Sequence, residues 1–537
     1  MLNGLECQKW QAKAVEHLLG DSRVELCLLI IKQTSRLKKT KPVSHFRDKH
    51  LLLKAYRKFY LKLNSFQPII PDWLATTPQL LCEPIEKGHS QYFEEDDITR
   101  IKSHRPDFLL RFGFNILRGS ILDVSPLGIW SFHHGDEQNF RGGPPAFWEI
   151  MHNRDVTGAI LQRLTPVLDS GIILKKGYFK TVKHSWPESF EQLLHNTSMW
   201  PLQVAKDILN GHLYPNEIPA ATTLAPIYRF PNNIQMLRFL VKQFKNKLAF
   251  HYQELFKPEH WNVGIINRPI ELMLNDEPIE VNWLPDLPAD KFVADGFGFE
   301  TGGKKFIVAE YFDYRTSKGK LVALDEKGNH FPFFEESTFH HSYPFIFEHD
   351  GNTYCLPESY EKNRLDLLLW EPHLKSFKFV KTLIDKVEVI DPTLAKINNV
   401  WWLFCTHRDL SNTALHLYHA PTPFGPFEPH QNNPVKCDIQ SSRPSGNLFQ
   451  QAGKWYRPAQ DCAHTYGHHV HIHEIIELSK EVFREKLVKT IVAQAPFDKG
   501  LHTLSRFGNQ TLIDGKVFRF NWPNFFRQLK RKLRLGK

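Results

Sequence analysis

The chain has 537 residues, 42% of them hydrophobic and 13% aromatic, which is the composition of a globular protein too long for one core. It has no run of 18 apolar residues, and the opening MLNGLECQKWQAK has no basic-then-apolar leader, so neither a spanning helix nor a secretory signal is expected and a cytoplasmic location is. Seven scattered cysteines without a Cys-x-x-Cys pair exclude a disulfide framework and a zinc ribbon, while a formal charge of +10 leaves anionic partners open until that charge is located.

Residues 8–19 carry a helical pattern, and 24–32 (VELCLLIIK) form the continuous apolar run of a buried parallel strand. A doubly wound α/β sheet opens on a strand, so the first strand of this Rossmann-type open sheet is missing from its expected place. Residues 33–58 are strongly basic and broken by Pro42, which reads as a solvated loop leading into an amphipathic helix rather than a phosphate-binding patch. Another buried strand, 106–110 (PDFLL), is followed by Phe112-Gly113-Phe114.

The stretch 128–171 says most about chemistry. A short β-type segment ends in Ser131-Phe132-His133-His134; then come Asp136, the run Arg141-Gly142-Gly143-Pro144-Pro145, a helix-like stretch and a second strand-like segment ending at Leu168-Asp169-Ser170-Gly171. Polar residues just past a strand end are where open α/β sheets bind ligands. Acyl transfer to an amine passes through a tetrahedral intermediate, which needs a donor for the oxyanion and a base for the ammonium proton. His133 can supply the first and Asp169 can orient it, with His134 and Asp136 as a second acid/base pair; the bland alternative is that both histidines only satisfy loop backbone and Asp136 caps the next element. Adjacent histidines on a strand point to opposite faces, so no metal is expected there.

These residues resemble the formyltransferase family, which moves a formyl unit from a folate carrier to an amine. The resemblance covers roughly residues 1–215. It implies a catalytic role for His133 and Asp169, with Ser131 standing where the family has an asparagine, a shorter donor for the oxyanion. By the same resemblance, Arg141, Gly142 and Gly113 bind substrate or the 10-formyltetrahydrofolate carrier, and His134 and Asp136 are expected to bind substrate or carrier beside them.

Within 227–255 the apolar residues Ile234, Leu237, Leu240, Val241, Phe244 and Leu248 recur at helical spacing, and Asn232 or Asn233 can cap the start. The expectation is a connecting helix, linker 216–257, that serves as scaffold. From 258 to 522 the pattern turns to short aromatic strands. Counted from Asp295, Tyr343, Asp391, Arg443 and His502, a strand–turn–strand unit recurs five times, which predicts an all-β five-bladed propeller closed by 261–266 pairing into the last blade. The blade starts place Asp295, Asp391 and Arg443 round one funnel, with Glu310, Glu358 and Asp461. His469-x-His471-x-His473 shares one strand face, read as a solvated face over a metal site.

The layout resembles the propellers of arabinanase- and xylosidase-type glycosidases. Its segments SYPFIFEHDGNTYCLPES (342–359), DPTL (391–394), WWLF (401–404), GPFEPH (425–430), NPV (433–435), SRPSG (442–446) and YRPAQDC (456–462) resemble the N-terminal region of glucosamine inositolphosphorylceramide transferases, where glycosyl transfer belongs to another domain. The resulting expectation is formyl transfer to an amino group of a sugar nucleotide or glycoconjugate, with the propeller binding carbohydrate. Glycosyl hydrolysis or transfer at the propeller and a non-catalytic carbohydrate-binding protein are the alternatives. No nucleic-acid partner is expected. The tail 523–537 combines Phe525, Phe526, Leu529 and Leu533 with six basic residues, which reads either as a helix lying peripherally on the inner membrane face, with contact through Phe525–Lys537, or as a frayed basic terminus.

Overall fold

The computed structural model describes residues 1–33, 48–167 and 170–535, with side chains as far as Lys530. The basic segment 34–47 and Leu168–Asp169 lie outside the described residues, and with them most of the loop expectation and the expected catalytic aspartate. Two compact units are present, Met1–Lys247 and Leu248–Lys537.

In unit 1 the apolar runs form strands as their composition dictates. Leu109–Arg111 pairs in parallel with Ile129–His133, setting Arg111 beside Ser131, and Leu29–Lys32 pairs in parallel with Gln79–Cys82. Between these two pairs no first strand is assigned among the described residues, and Leu2 forms only an isolated parallel bridge with Ile31. Met1 donates its amino group to Leu110 O at 2.8 Å, and its carbonyl accepts from Phe112 and Gly113. Leu2 exchanges bonds with Ile30 and Lys32. Two residues thus stand where a first strand was expected to be missing, and they satisfy part of an otherwise unpaired ladder. Beside them lies a cavity of about 540 Å³ lined by Leu26, Leu28, Phe108, Leu110, Trp130 and Ala205.

The next strand departs from a doubly wound order. The strand Val156–Arg163 runs antiparallel to Ile129–His133, with His133 opposite Ile160 and Trp130 opposite Arg163, and is itself antiparallel to Ile172–Lys180. The connection through the short helix Phe147–Met151 is therefore not a parallel βαβ crossover, because the chain turns back along its own neighbour.

The helix Asn233–Phe256 starts with a reciprocal cap: Asn232 Oδ1 accepts from Gln235 N, and Gln235 Oε1 accepts from Asn232 N, each at 2.9 Å. Its buried residues are Met236 and Phe239, the latter stacked on Phe147 at 4.3 Å. Gln243 accepts from Tyr56 OH at 3.1 Å and Asn246 donates to Lys183 O at 2.9 Å. The apolar series read from spacing is thus not the packed face; Ile234, Leu237, Val241 and Phe244 are exposed.

Among the described residues, unit 2 contains five antiparallel sheets in chain order. The first runs Lys291–Thr301, Lys304–Asp313, Lys318–Leu324, His330–Phe331; the second Ser342–His349, Asn352–Glu358, Arg364–Glu371, Ser376–Asp385. The third runs Val389–Ile397, Val400–His407, Ala414–Ala420, Glu428–Pro429; the fourth Phe449–Gln451, Lys454–Asp461, His469–Leu478, Phe483–Val492. The fifth joins Leu504–Phe507 and Gln510–Phe518 to Glu259–Ile266 and Asn282–Trp283, so the start of the unit completes its last sheet. The hairpin turns Gly302-Gly303, Asp350-Gly351, Asn398-Asn399 and Ala452-Gly453 all have both residues left-handed, the twist that short antiparallel hairpins need. Asp514-Gly515, read as the fifth turn, lies inside a strand instead, and the turn is at Gly508. The high aromatic content fills the space between sheets: Phe299 meets Phe333, Trp370 and Phe377 with ring centroids within 6.1 Å.

The tail forms a helix, Trp522–Leu535. Phe525 stacks on Phe256 at 4.9 Å and Asn524 donates to the carbonyls of Glu254 and Leu255, while Phe526 and Leu529 stay exposed.

Candidate functional site

Consecutive hydrogen bonds join the starts of all five sheets. Tyr343 N donates to Asp295 Oδ2 (3.3 Å), Tyr343 OH bonds Thr393 (2.8 Å), and Arg443 donates twice to Asp391 (2.6 and 3.1 Å). Ser445 donates to His502 O (2.6 Å), and Thr503 donates to Asp295 Oδ1 (2.8 Å). Asp391 also accepts from Gln460 (2.7 Å), and its own N–H donates to Glu358 (3.0 Å). Three of the repeated residues sit at a local break in register: the pairing slips between Ala294 and Phe297, between Ser342 and Phe345, and between Ile390 and Thr393. Each break holds a left-handed non-glycine residue, Asp295 (φ 53°), Tyr343 (φ 42°) and Asp391 (φ 47°). A bulge turns its side chain out of the pleat, and the backbone strain, about 1–3 kcal/mol per residue, is sustained by the bonds above.

The floor so formed holds Asp295, Glu310, Glu358 and Asp391, all buried, with Arg443 partly open. Burial, reinforced by neighbouring carboxylates, pushes Glu310 and Glu358 well above the usual carboxyl range. Burial lifts Asp295 to about 6, against the opposing pull of His502. Burial also opposes charge on His502, but the carboxylates of Asp514 and Asp295 outweigh it and hold the imidazole above its ordinary range.

These shifts give a pH prediction. An aspartate with its folded pKa raised from about 3.9 to about 6 binds more protons in the folded state between those values, so unit 2 loses stability as pH rises from 4 to 6. Asp295→Asn is expected to flatten that stretch of a urea-stability profile; an unchanged slope would show that Asp295 does not titrate there.

Around the floor stand rings and cations. Arg443 lies over Tyr466 (4.9 Å) and Arg408 over Tyr360 (4.4 Å), and His340 approaches Glu310 at 3.8 Å. Flat aromatic faces beside paired hydrogen-bonding groups suit a sugar ring, whose C–H face stacks while its hydroxyls bond. Tyr343→Phe removes a buried hydroxyl that bonds both Thr393 and Gly446 N (2.6 Å) and is expected to cost about 1–3 kcal/mol in urea denaturation.

Asp461 does not join this floor. It accepts from Ala463 N and lies 3.9 Å from His468 and 4.0 Å from His471. Arg457 is likewise separate, bonded bidentately to Glu485 at 2.8 and 2.6 Å. His473, on the face read as solvated, is buried, which pushes its pKa down to about 3. His502 and Asp514, which sequence reasoning did not assign to the funnel, do belong to the floor. Together with Asp295 they bring three ligand-type atoms within 4.8 Å of one another, a set able to hold a cation where none was expected.

In unit 1, His133 ends its strand half-buried, and its Nε2 would lie 2.9 Å from a Cβ placed on Gly135. Ser131 is buried and accepts from Arg111 at 2.8 Å, so its hydroxyl is already engaged below the strand end. His134 stacks on Phe132 at 5.8 Å and bonds Thr197, and burial pushes it down to about 3, leaving it neutral. Asp136 and Glu137 both bind Lys176 at 2.9 Å, which ties Asp136 to the sheet rather than to a ligand. The bare backbones expected to face a carrier are taken up by the chain: a Cβ on Gly113 would strike Asn3 N at 2.6 Å, and one on Gly142 would strike the Tyr228 carbonyl. Arg141-Gly142 instead pairs in parallel with Ile227–Tyr228. Of the residues expected to bind the carrier or substrate, His134, Asp136, Gly113 and Gly142 are thus engaged within the chain.

A family model described as glucosamine inositolphosphorylceramide transferase 1, N-terminal, matches residues 286–506. The rice (Oryza sativa subsp. japonica) glucosamine inositolphosphorylceramide transferase 1 is 33% identical over 215 residues, 38% of this chain and 29% of that protein, so the chain spans under a third of its relative's length. Methionyl-tRNA formyltransferase of Borrelia turicatae (strain 91E135) is 26% identical over 157 residues, 28% of this chain and 50% of that one. Among solved structures, a thermostable family-43 glycoside hydrolase matches with TM-score 0.31 and 13% identity over 41% of this chain and 84% of that one. The chain is thus similar over part of its length to two kinds of transferase.

Proposed function

We propose that the chain is a transferase acting on a carbohydrate conjugate. In this reading the five sheets are the blades of a propeller, their shared floor grips the sugar, and unit 1 delivers a formyl-sized acyl group to an amino nitrogen. The observation that carries the reading is the floor itself: the buried Glu310 and Glu358, an Asp391–Arg443 pair able to accept and donate, and tyrosine faces at Tyr360 and Tyr466. The name of the rice relative, which specifies glucosamine and a ceramide-linked inositol phosphate, favours an amino sugar on a lipid-borne acceptor.

For the acyl step, similarity to formyltransferases favours a folate-type donor, which would supply the formyl unit. His133, at the end of the Ile129–His133 strand, would donate a hydrogen bond to the oxyanion formed as the acceptor nitrogen bonds the formyl carbon, and the proton that nitrogen loses would pass to the donor nitrogen as its bond to the formyl carbon breaks. Incubation of the full chain with 10-formyltetrahydrofolate and glucosamine-bearing conjugates, read by mass, is expected to yield a formylated product that His133→Ala lowers at least a hundredfold. Absence of product from the parent chain would remove the acyl step and leave the sugar site to its own test. A second reading, cleavage of a glycosidic bond at the floor, is favoured by the buried Glu310 and Glu358, with carboxyls shifted upward, on the same floor as Asp391. Release of nitrophenol from aryl glycosides, lost in Glu358→Gln, would establish it.

A further inference from the structure

The helix Asn233–Phe256 packs on unit 1 through Met236, Phe239, Gln243 and Asn246. On its other side, Ile234, Leu237, Val241 and Phe244 are 50–65% exposed, and Leu248 continues the row. At 3.6 residues per turn these five positions fall within an arc of about 80°, opposite the packed face. Large apolar side chains in an unbroken exposed row mark a binding surface rather than random exposure.

The flanks of the row indicate what covers it. Arg238, Lys242 and Lys245 border one edge and Lys247 the other, and no acidic residue occurs between 233 and 253. The spacing 234, 237, 241, 244, 248 would also suit a coiled-coil seam with a second copy. Self-pairing would, however, set these basic flanks against one another with no carboxylate to compensate. An anionic surface that is apolar beneath meets both the charge and the row.

We propose that this helix lies on the surface of an anionic lipid bilayer, its Ile234–Leu248 row in the acyl boundary and its basic flanks at the headgroups. The site is separate from the tail helix and does not depend on the reading of the sugar site. It would hold unit 1 at a membrane where lipid-borne acceptors reside.

The test is sedimentation of the full chain with phosphatidylglycerol vesicles and with phosphatidylcholine vesicles. Binding is expected to the first, to be weak to the second, and to fall in 0.5 M salt. Leu237→Glu/Phe244→Glu is expected to weaken binding at least tenfold. Arg238→Ala/Lys245→Ala is expected to weaken it by about 25-fold, roughly fivefold per cation. The replaced side chains are exposed, so circular dichroism and thermal midpoints should match the parent. Three results would overturn the proposal: no binding by the parent, binding by Leu237→Glu/Phe244→Glu equal to the parent's, or a solution dimer that this variant dissolves, which would make a second copy the occupant.

Discussion

Asp391→Ala is expected to cost unit 2 about 3–5 kcal/mol and to abolish sugar binding together. The carboxylate receives two bonds from Arg443 and one from Gln460, so its removal leaves the guanidinium with a hydrogen bond to Asn412 at 3.0 Å and the Tyr466 ring, neither of them charged. An unpaired buried cation costs far more than the pair contributes net. Asp391 also occupies a left-handed backbone position that alanine tolerates poorly. Urea denaturation followed by tryptophan fluorescence checks the stability loss. Asp391→Asn, which keeps an acceptor but not the charge, should lose less stability than the alanine variant while still weakening the ligand. A loss below about 1 kcal/mol for the alanine variant would mean that the floor is not held together by this pair.

Arg457→Ala is the second large effect, again about 3–5 kcal/mol, at a site with no expected role in sugar binding. Arg457 is fully buried and paired bidentately with Glu485, which Lys436 also reaches at 2.7 Å. Burial disfavours the Glu485 charge, but Arg457 and Lys436 outweigh it and hold the carboxyl below its usual range. A depressed folded pKa stabilises above the unfolded value near 4.3, and that contribution fades as pH falls below it. Unit 2 should therefore lose stability in acid through Glu485 and towards neutrality through Asp295, giving a mildly acidic optimum. Arg457→Met combined with Glu485→Leu should recover much of the loss of the single variant, since neither charge is then left alone. Failure of the double change to recover stability would point to Ser441, whose carbonyl Arg457 also contacts.

The repeat is legible because each sheet begins with the same backbone event. Asp295-Gly296, Tyr343-Pro344 and Asp391-Pro392 recur at near-constant spacing since each fills a bulge, and a bulge admits few residue pairs. The floor was harder to complete. Asp514 precedes a glycine and reads locally as a turn, yet it bonds the backbone of His502 and Thr503 from within a strand. Asp461 was misplaced because a strand-end carboxylate reads alike whichever way the strand end turns. Periodicity found the Ile234–Leu248 row but could not say what it faces, because a helix with two apolar stripes gives one spacing signal for both. In unit 1 the parallel strand at Leu29–Lys32 was legible and the antiparallel direction of Val156–Arg163 was not, since a short apolar run has the same pattern whether its neighbour runs with it or against it.

The central claim is that the floor of unit 2 is a carbohydrate site. Calorimetric titration of the full chain with glucosamine oligomers tests it most directly. Saturable binding is predicted, weakened at least tenfold by Tyr466→Ala and by Arg408→Ala, which alter the rim without removing a floor carboxylate. No heat from the parent chain, or binding that both variants leave unchanged, would contradict the account.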